Sequence, residues 1–533
     1  MQAVSTAWKE AHRGMLLPEM FIELTYAATE PGLQEEAVVT STNEAEVSDT
    51  ADIVAEREAI EDTYASLEHG MWGLDGSFDH EVEYAGYVSD SISDEAGTFA
   101  RNPVFSIGFP ILHTEPIPGL TITWSTILNE WPEEFSVKVY AGSSLVSQMS
   151  VTDNTSPTSL VWLNMVDYNR IDIEIQKWNR PYRRARCSDV FLGVETVYTK
   201  DDFMGYDHSQ SVDLLSATLP KNEIQFRLRN EDDRWNPDSP SGMEQYLLEQ
   251  QEIRVRYGMK VDGKTEWIKG GTFWLSEWNT PSNGLEATFT ARDAVGFMDI
   301  TYTGPTEGTM YEIAEAAFIQ ANIPSSRDGT PRYYLDSGLM AHELSLGDTE
   351  YTISQILQMI AHAGCCVFYQ DRDGVTHIEP WSHSYQDYMI DQHNSYSHPE
   401  YTISKPLKAV SVAYGDESQR YVLTAHSKGE VQTVDNAFVQ TYADAQRVAE
   451  RTQEVLENRR VVTGDFRADV RLDALDPVIV TSKYATGVVA ITDINYSTTG
   501  GGFRGTYTGR VIPLNVNIEV RYSGEFYAGE YRD

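Results

Sequence analysis

Three things are scarce in this 533-residue sequence: cysteine, basic side chains and uninterrupted apolar stretches. The cysteines are Cys187 and the adjacent pair Cys365-Cys366. An odd number without framework spacing excludes a disulfide scaffold and reads as thiols kept reduced where the protein folds. No apolar run approaches the roughly 18 residues of a membrane-spanning helix. The first twenty residues lack a continuous apolar segment, so no secretory leader is expected. Lys and Arg number 40 against 81 Asp and Glu, a net charge of −41. Nucleic-acid affinity comes mostly from cations that neutralise phosphates, so stable binding to DNA or to an anionic membrane is disfavoured. Two readings of the excess stay open: plain solubility, or a conduit wall along which DNA slides without sticking.

Motifs for catalysis are missing as well. A metallopeptidase needs His pairs at helix spacing, whereas His383, His393 and His398 sit in a Tyr- and Ser-rich loop and read as solvated. Cys365-Cys366 has His362 and His377 near in sequence, but the flanking Ala363, Gly364, Val367 and Phe368 point to buried, inert thiols. Asp371-Arg372-Asp373-Gly374 resembles the start of a calcium loop without its later acidic ligand, and reads as a hairpin turn. Paired carboxylates decide nothing in so acidic a chain. No enzyme activity, cofactor or metal is expected.

What is present is strand. The length implies three or four domains. Met20–Tyr26 alternates as a half-buried strand, and an acidic stretch from Glu30 to Asp62, with Arg57 its only basic residue, reads as a mobile loop or an arm ordered by a partner. From 81 to 193, short β-runs at Val104–Phe109, Leu120–Trp124, Phe135–Tyr140, Ser159–Leu163 and Arg170–Lys177 imply an antiparallel sandwich or jelly roll. Residues 194–302 are strand-rich, punctuated by Gly263, Gly270 and Gly271. Residues 303–400 read as an α+β module with capping boxes at Thr309–Glu312 and Thr352–Gln355, each opening a helix, then a strand, turn and strand to Glu379. Residues 401–515 return to strands, at Lys408–Tyr414, Arg420–Thr424, Phe466–Leu472, Val478–Thr481, Val488–Tyr496 and Phe503–Arg510, around one helix, Tyr442–Arg459. Residues 516–533 form a tail. The fold class is therefore multidomain and mainly β with an α+β module.

This order, together with Leu219-Pro220, Phe226–Asn230, Asp232–Pro237, Gly271-Thr272-Phe273, Ala291–Asp293 and Leu475-Asp476-Pro477, resembles bacteriophage tail hub and tail-tip proteins. Gly119–Trp124, Pro132–Val137 and Lys177–Pro181 resemble galactose-binding-type jelly rolls, as found in tail proteins of prophages of Gram-positive bacteria. The resemblance implies two hub β-barrels, with 1–80 completing the first and the jelly roll inserted into it. It implies a homotrimer whose pseudo-sixfold ring docks on a hexameric tail tube or distal tail protein. A tape measure protein and tip or fibre proteins would be neighbours, and DNA would pass without stable binding. The localisation implied is the virion, assembled in the host bacterial cytoplasm. Within the jelly-roll region Trp124, Trp131 and Trp178, with Arg180, Arg183, Arg184 and Arg186, are the candidate contacts for a glycan or a neighbouring subunit. Trp124 and Trp162 fall in strand runs where core packing is the default. A solvated basic patch also remains open. The expectation is a structural virion protein; the alternatives are a host-surface glycan adhesin and a cell-wall hydrolase.

Overall fold

A computed structural model describes residues 1–14, 19–54, 68–69, 71, 86–236, 239, 242–280, 284–326, 330–382, 388–415, 419–482, 486–499 and 502–512. The chain is mainly β and multidomain, with several sheets and, among the described residues, three hydrophobic cores. Alternation sets each register. In strand Lys221–Arg229, Ile224, Phe226 and Leu228 point inward and are buried, while Gln225, Arg227 and Arg229 face out.

Among the described residues the largest sheet has 13 strands, eleven on one path and two, Pro477–Thr481 and Met389–Ile390, branching from Thr486–Thr499. Its path runs Val194–Tyr198, Met20–Ala28, Glu252–Val261, Lys264–Asn279, Glu286–Arg292, Lys221–Arg229, Phe203–Ser211, Thr486–Thr499, Gly502–Val511, Arg460–Arg467, Glu400–Ile403. The two halves, expected as separate barrels, are joined edge to edge where Asp207–Ser211 pairs with Asp493–Ser497. Leu24, Phe226, Tyr257, Ile491 and Tyr496 from both halves share one core. Joining the halves hides backbone donors and acceptors that each edge would otherwise expose.

Residues 29–193 leave this sheet at Ala28 and return at Val194, and those two residues are paired across the ladder. Excursion and return therefore cost the sheet no register. Between them lies an antiparallel sandwich. Five strands run Val38–Ser41, Val104–His113, Tyr168–Trp178, Pro132–Ala141, Ser144–Val151, facing Asp189–Phe191, Ile117–Thr123 and Thr158–Met165. The acidic arm is corrected over its described part. Leu33, Ile53 and Val54 are buried in the sandwich core, and Val38–Ser41 pairs with Val104–His113. Apolar residues spaced among the acids give that stretch something to bury. Arg57 and Asp62, like the tail 516–533, lie outside the described residues.

The α+β module is capped as expected, with reciprocal boxes at Thr309/Glu312 and Thr352/Gln355 opening helices Met310–Ala321 and Ile353–Ala363. Its core does not stop at 400. Strand Leu407–Tyr414 and helix Tyr442–Glu457 contribute Val410, Val412, Ala445, Val448 and Ala449 to it, so residues 401–512 divide between two cores. Two smaller expectations change. Strand Arg460–Arg467 ends before Leu472, because Asp469 and Arg471 turn inward as a buried pair. Tyr442 is 56% exposed, its place on the packed side taken by Asp444 of the helix cap and by Val448.

Candidate functional site

The basic run Arg180–Arg186 follows strand Tyr168–Trp178 and enters strand Arg184–Cys187, which pairs with Tyr87–Ile92. Internal carboxylates take two of its four guanidinium groups, those of Arg183 and Arg186. Glu68 accepts from both terminal nitrogens of Arg186 at 2.6 Å and from the Arg184 backbone N–H at 2.7 Å. Arg183 pairs with Glu130 at 3.1 Å, and the same carboxylate accepts from Trp178 Nε1 at 3.1 Å. Burial pushes the Glu130 carboxyl up, while the Trp178 hydrogen bond and the Arg183 and Arg186 charges pull against it. Arg184 donates to the carbonyls of Ser89 and Asp90 at 2.6 and 2.8 Å.

Three of the seven candidate contacts are therefore corrected. Trp124 is enclosed beside Phe135 and Trp178 and donates to Ser159 Oγ at 2.9 Å. Trp178 and Arg186 are only 1% and 3% exposed. An indole edge needs a buried acceptor and a buried guanidinium needs a buried carboxylate, and both are supplied internally. Trp131 is half-buried, tied to Asn179 Oδ1 and the Asn154 carbonyl at 3.1 and 3.0 Å. Arg180 is exposed, and Arg183 and Arg184 are half-buried.

Two further aromatic residues of the sandwich are exposed. Tyr182, with φ +59° at the loop tip, is 43% exposed and its ring lies 5.8 Å from that of His69. Trp162, which strand position marked as core, is 50% exposed because it alternates outward with Leu160 in Thr158–Met165. Only alternation relative to Ser159 and Val161 could have signalled this. Arg180 and Tyr182 can hydrogen-bond and stack, which is binding chemistry rather than catalysis.

Elsewhere the reactive types are quiet. Burial pushes Cys366 up to about 12 and raises Cys365 and Cys187. Asp371–Gly374 is a hairpin turn closed by Asp371 N–H to the Val375 carbonyl at 2.9 Å. His393 and His398 are exposed, and His383 lies outside the described residues. Among the described residues no group of three or more His, Cys, Asp or Glu could hold a metal, and no helix is long and apolar enough to cross a membrane.

Charge is unevenly spread. Residues 1–100 hold 22 acidic against 3 basic side chains, and residues 301–400 hold 14 against 3. The outer face of the large sheet is instead laced with cross-strand ion pairs. Arg292 bridges Glu223 and Glu277, Arg254 meets Glu195, and Arg256 meets Glu23. Around the join, Asp207, Ser209 and Ser211 of the first half and Asp465, Asp493, Asn495, Ser497, Thr506 and Thr508 of the second face outward, together with Arg504 and Arg510.

The sequence matches no family model and no curated protein. Among solved structures it is similar to a tail protein from Neisseria meningitidis MC58, at 14% identity and TM-score 0.42 over 60% of this chain and 94% of that one. It is similar to the 43 kDa tail protein of prophage MuSo2 from Shewanella oneidensis, at 13% identity and TM-score 0.42 over 60% and 97%. Over 33% of this chain and 99% of the other it is similar to the family 32 CBM from C. perfringens NanJ, in complex with galactose, at 12% identity and TM-score 0.20.

Proposed function

We propose that this chain is a non-enzymatic structural subunit of a phage tail tip or baseplate hub, linking the tail tube to the tip. One observation carries the reading: two β halves fused through Asp207–Ser211 and Asp493–Ser497 flank a mixed module, with a sandwich inserted at Ala28/Val194. That is the module order which the sequence resemblance to hub proteins implies. Three copies would form the ring, with a tube or distal tail hexamer on one side and fibre or tip proteins on the other. On this face Arg504 is held by Asp465 and Arg510 by the Asn458 carbonyl, so its Ser, Thr and Asn side chains with scattered Asp offer a sliding polyanion few cations not already engaged. Electron microscopy of tails labelled with antibody to this chain tests the assignment. Label at the tip is the expected result; label along the tube or on the capsid contradicts it.

The second reading is a host-surface glycan adhesin, favoured by the outward Trp162, Tyr182 and Arg180 on the sandwich. Screening the full chain against surface glycans tests it. Binding that Trp162→Ala and Tyr182→Ala abolish supports it, and failure to bind any glycan removes it.

A further inference from the structure

One net-basic patch stands out on this acidic molecule. It lies where the free end of the large sheet meets the three-stranded sheet Gln419–Thr424, Leu407–Tyr414, Glu430–Val434. Arg460 pairs with Ile403 across the last ladder, and Arg459 Nε donates to the Ser404 carbonyl at 2.7 Å. Pro406 accepts from Glu430 N–H at 2.8 Å, and Lys408 accepts from Ala425 and His426. These bonds gather Lys405, Lys408, Lys428, Arg459 and Arg460 around the apolar Ile403 and Val431, which are 62% and 50% exposed. Glu430 is taken up by Lys405, whereas Lys408, Lys428 and Arg460 have no ion-pair partner among the described residues.

A patch of opposite sign lies at the start of the α+β module. Ile353 N–H donates to the Ile300 carbonyl at 2.9 Å, Tyr302 N–H to Tyr351, and Gln320 Nε2 to the Thr301 carbonyl at 2.8 Å. Residues 299–303, 319–320 and 348–353 therefore share one surface. It exposes Ile300 at 45% and Ile319 at 66%, with Asp299, Asp348 and Glu350 exposed and Glu315 one helical turn from Ile319. None of these four carboxylates has an ion-pair partner among the described residues.

We propose that these two patches are the two sides of one contact between copies of this chain, the basic patch of one copy seated on the acidic patch of the next. Each offers two large aliphatic side chains ringed by unpaired charge, and the signs are opposite. The exposed aliphatics favour a protein surface, since a phosphate backbone gives them nothing to cover. At −41 overall, copies repel one another except where a basic surface faces an acidic one. Because the patches differ, the contact is heterologous, the kind that builds a ring where the rotation from copy to copy closes. The inference rests on the ring reading above and names the surfaces that build it.

Sedimentation velocity of the full chain at low and high salt tests it. Self-association that weakens with salt is expected. Lys428→Glu with Arg460→Glu should raise the dissociation constant by about tenfold or more, and Asp348→Lys with Glu350→Lys should do the same. A chain carrying all four reversals should associate again, which separates lost complementarity from lost folding. An oligomer indifferent to every reversal overturns the contact but leaves the ring; a wild-type monomer at all concentrations overturns both. Labelled duplex DNA that binds wild type and is released by Lys428→Glu with Arg460→Glu would make the patch a nucleic-acid site and also overturn the proposal.

Discussion

Replacing Arg372 should loosen the whole molecule, because this one side chain ties three parts together. It sits in the hairpin turn of the α+β module and is 6% exposed. Its Nη1 donates to the Lys269 carbonyl of the first sheet half, and its Nη2 to the Val470 and Leu472 carbonyls of the second, at 2.5, 2.8 and 3.1 Å. Nε meets both Asp473 oxygens at 2.8 and 2.9 Å. Burial pushes the Asp473 carboxyl up, but the Arg372 charge and hydrogen bonds outweigh it and hold the carboxyl below its ordinary range. Arg372→Met leaves the half-buried Asp473 carboxylate without its guanidinium, which costs at most about 3–5 kcal/mol. Three carbonyls also lose donors, at about 1–3 kcal/mol each if they stay dry. Water entering the adjoining cavity of about 250 Å³ offsets part of that. The expected loss is therefore about 4 kcal/mol in the first urea transition, followed by tryptophan fluorescence and far-UV circular dichroism. Arg372→Lys keeps the charge but not the fork, and should lose about half as much. A loss below about 1 kcal/mol for Arg372→Met, or Lys no better than Met, would refute the joint.

Burial raises Asp293 to about 7, opposed by backbone N–H donors from Gly296 and Asn222. A carboxyl raised on folding favours the folded state while protonated, so stability should fall as pH rises from about 4 through 7. Asp293→Asn, which keeps the cap acceptor, should flatten that profile in denaturation curves at several pH values. Glu68→Gln strips the charge from the Arg186 pair and should cost about 3 kcal/mol; limited proteolysis should then cut the 180–186 loop faster than in wild type. At Gly119, with φ +152°, an added Cβ would lie 1.8 Å from the Val161 carbonyl oxygen. Gly119→Ala should therefore unpair Ile117–Thr123 from Thr158–Met165, seen as lost amide protection in hydrogen exchange. Thr352→Ala removes a helix cap and should cost only about 1 kcal/mol in thermal unfolding.

Local pattern carried much of this fold into the sequence. Capping boxes at Thr309 and Thr352 are short-range chemistry, and the alternating Phe135–Tyr140 and Ile171–Ile175 need only a buried face. Long-range pairing was not legible. Nothing in Asp207–Ser211 says that its partner lies in Asp493–Ser497, so the joining of the two halves had to be seen. The candidate contacts failed where a partner was remote. Arg186 looked available until Glu68 was placed beside it, and Trp178 until Glu130 was. Acidity hid the apolar anchors Leu33, Ile53 and Val54 in the stretch expected to be mobile. Arg372 passed as a turn residue, although an Arg between two Asp in a hairpin was the one available hint.

Single-particle imaging of the purified full-length chain bears most directly on the central idea that copies of this subunit enclose a passage. The expected particle has threefold symmetry, about three times the 60.0 kDa chain mass, with the Ser-, Thr- and Asn-bearing strands Thr486–Thr499 and Gly502–Val511 turned toward a central opening. A closed particle without an opening, or one whose strands face outward while the sandwich fills the centre, would contradict it.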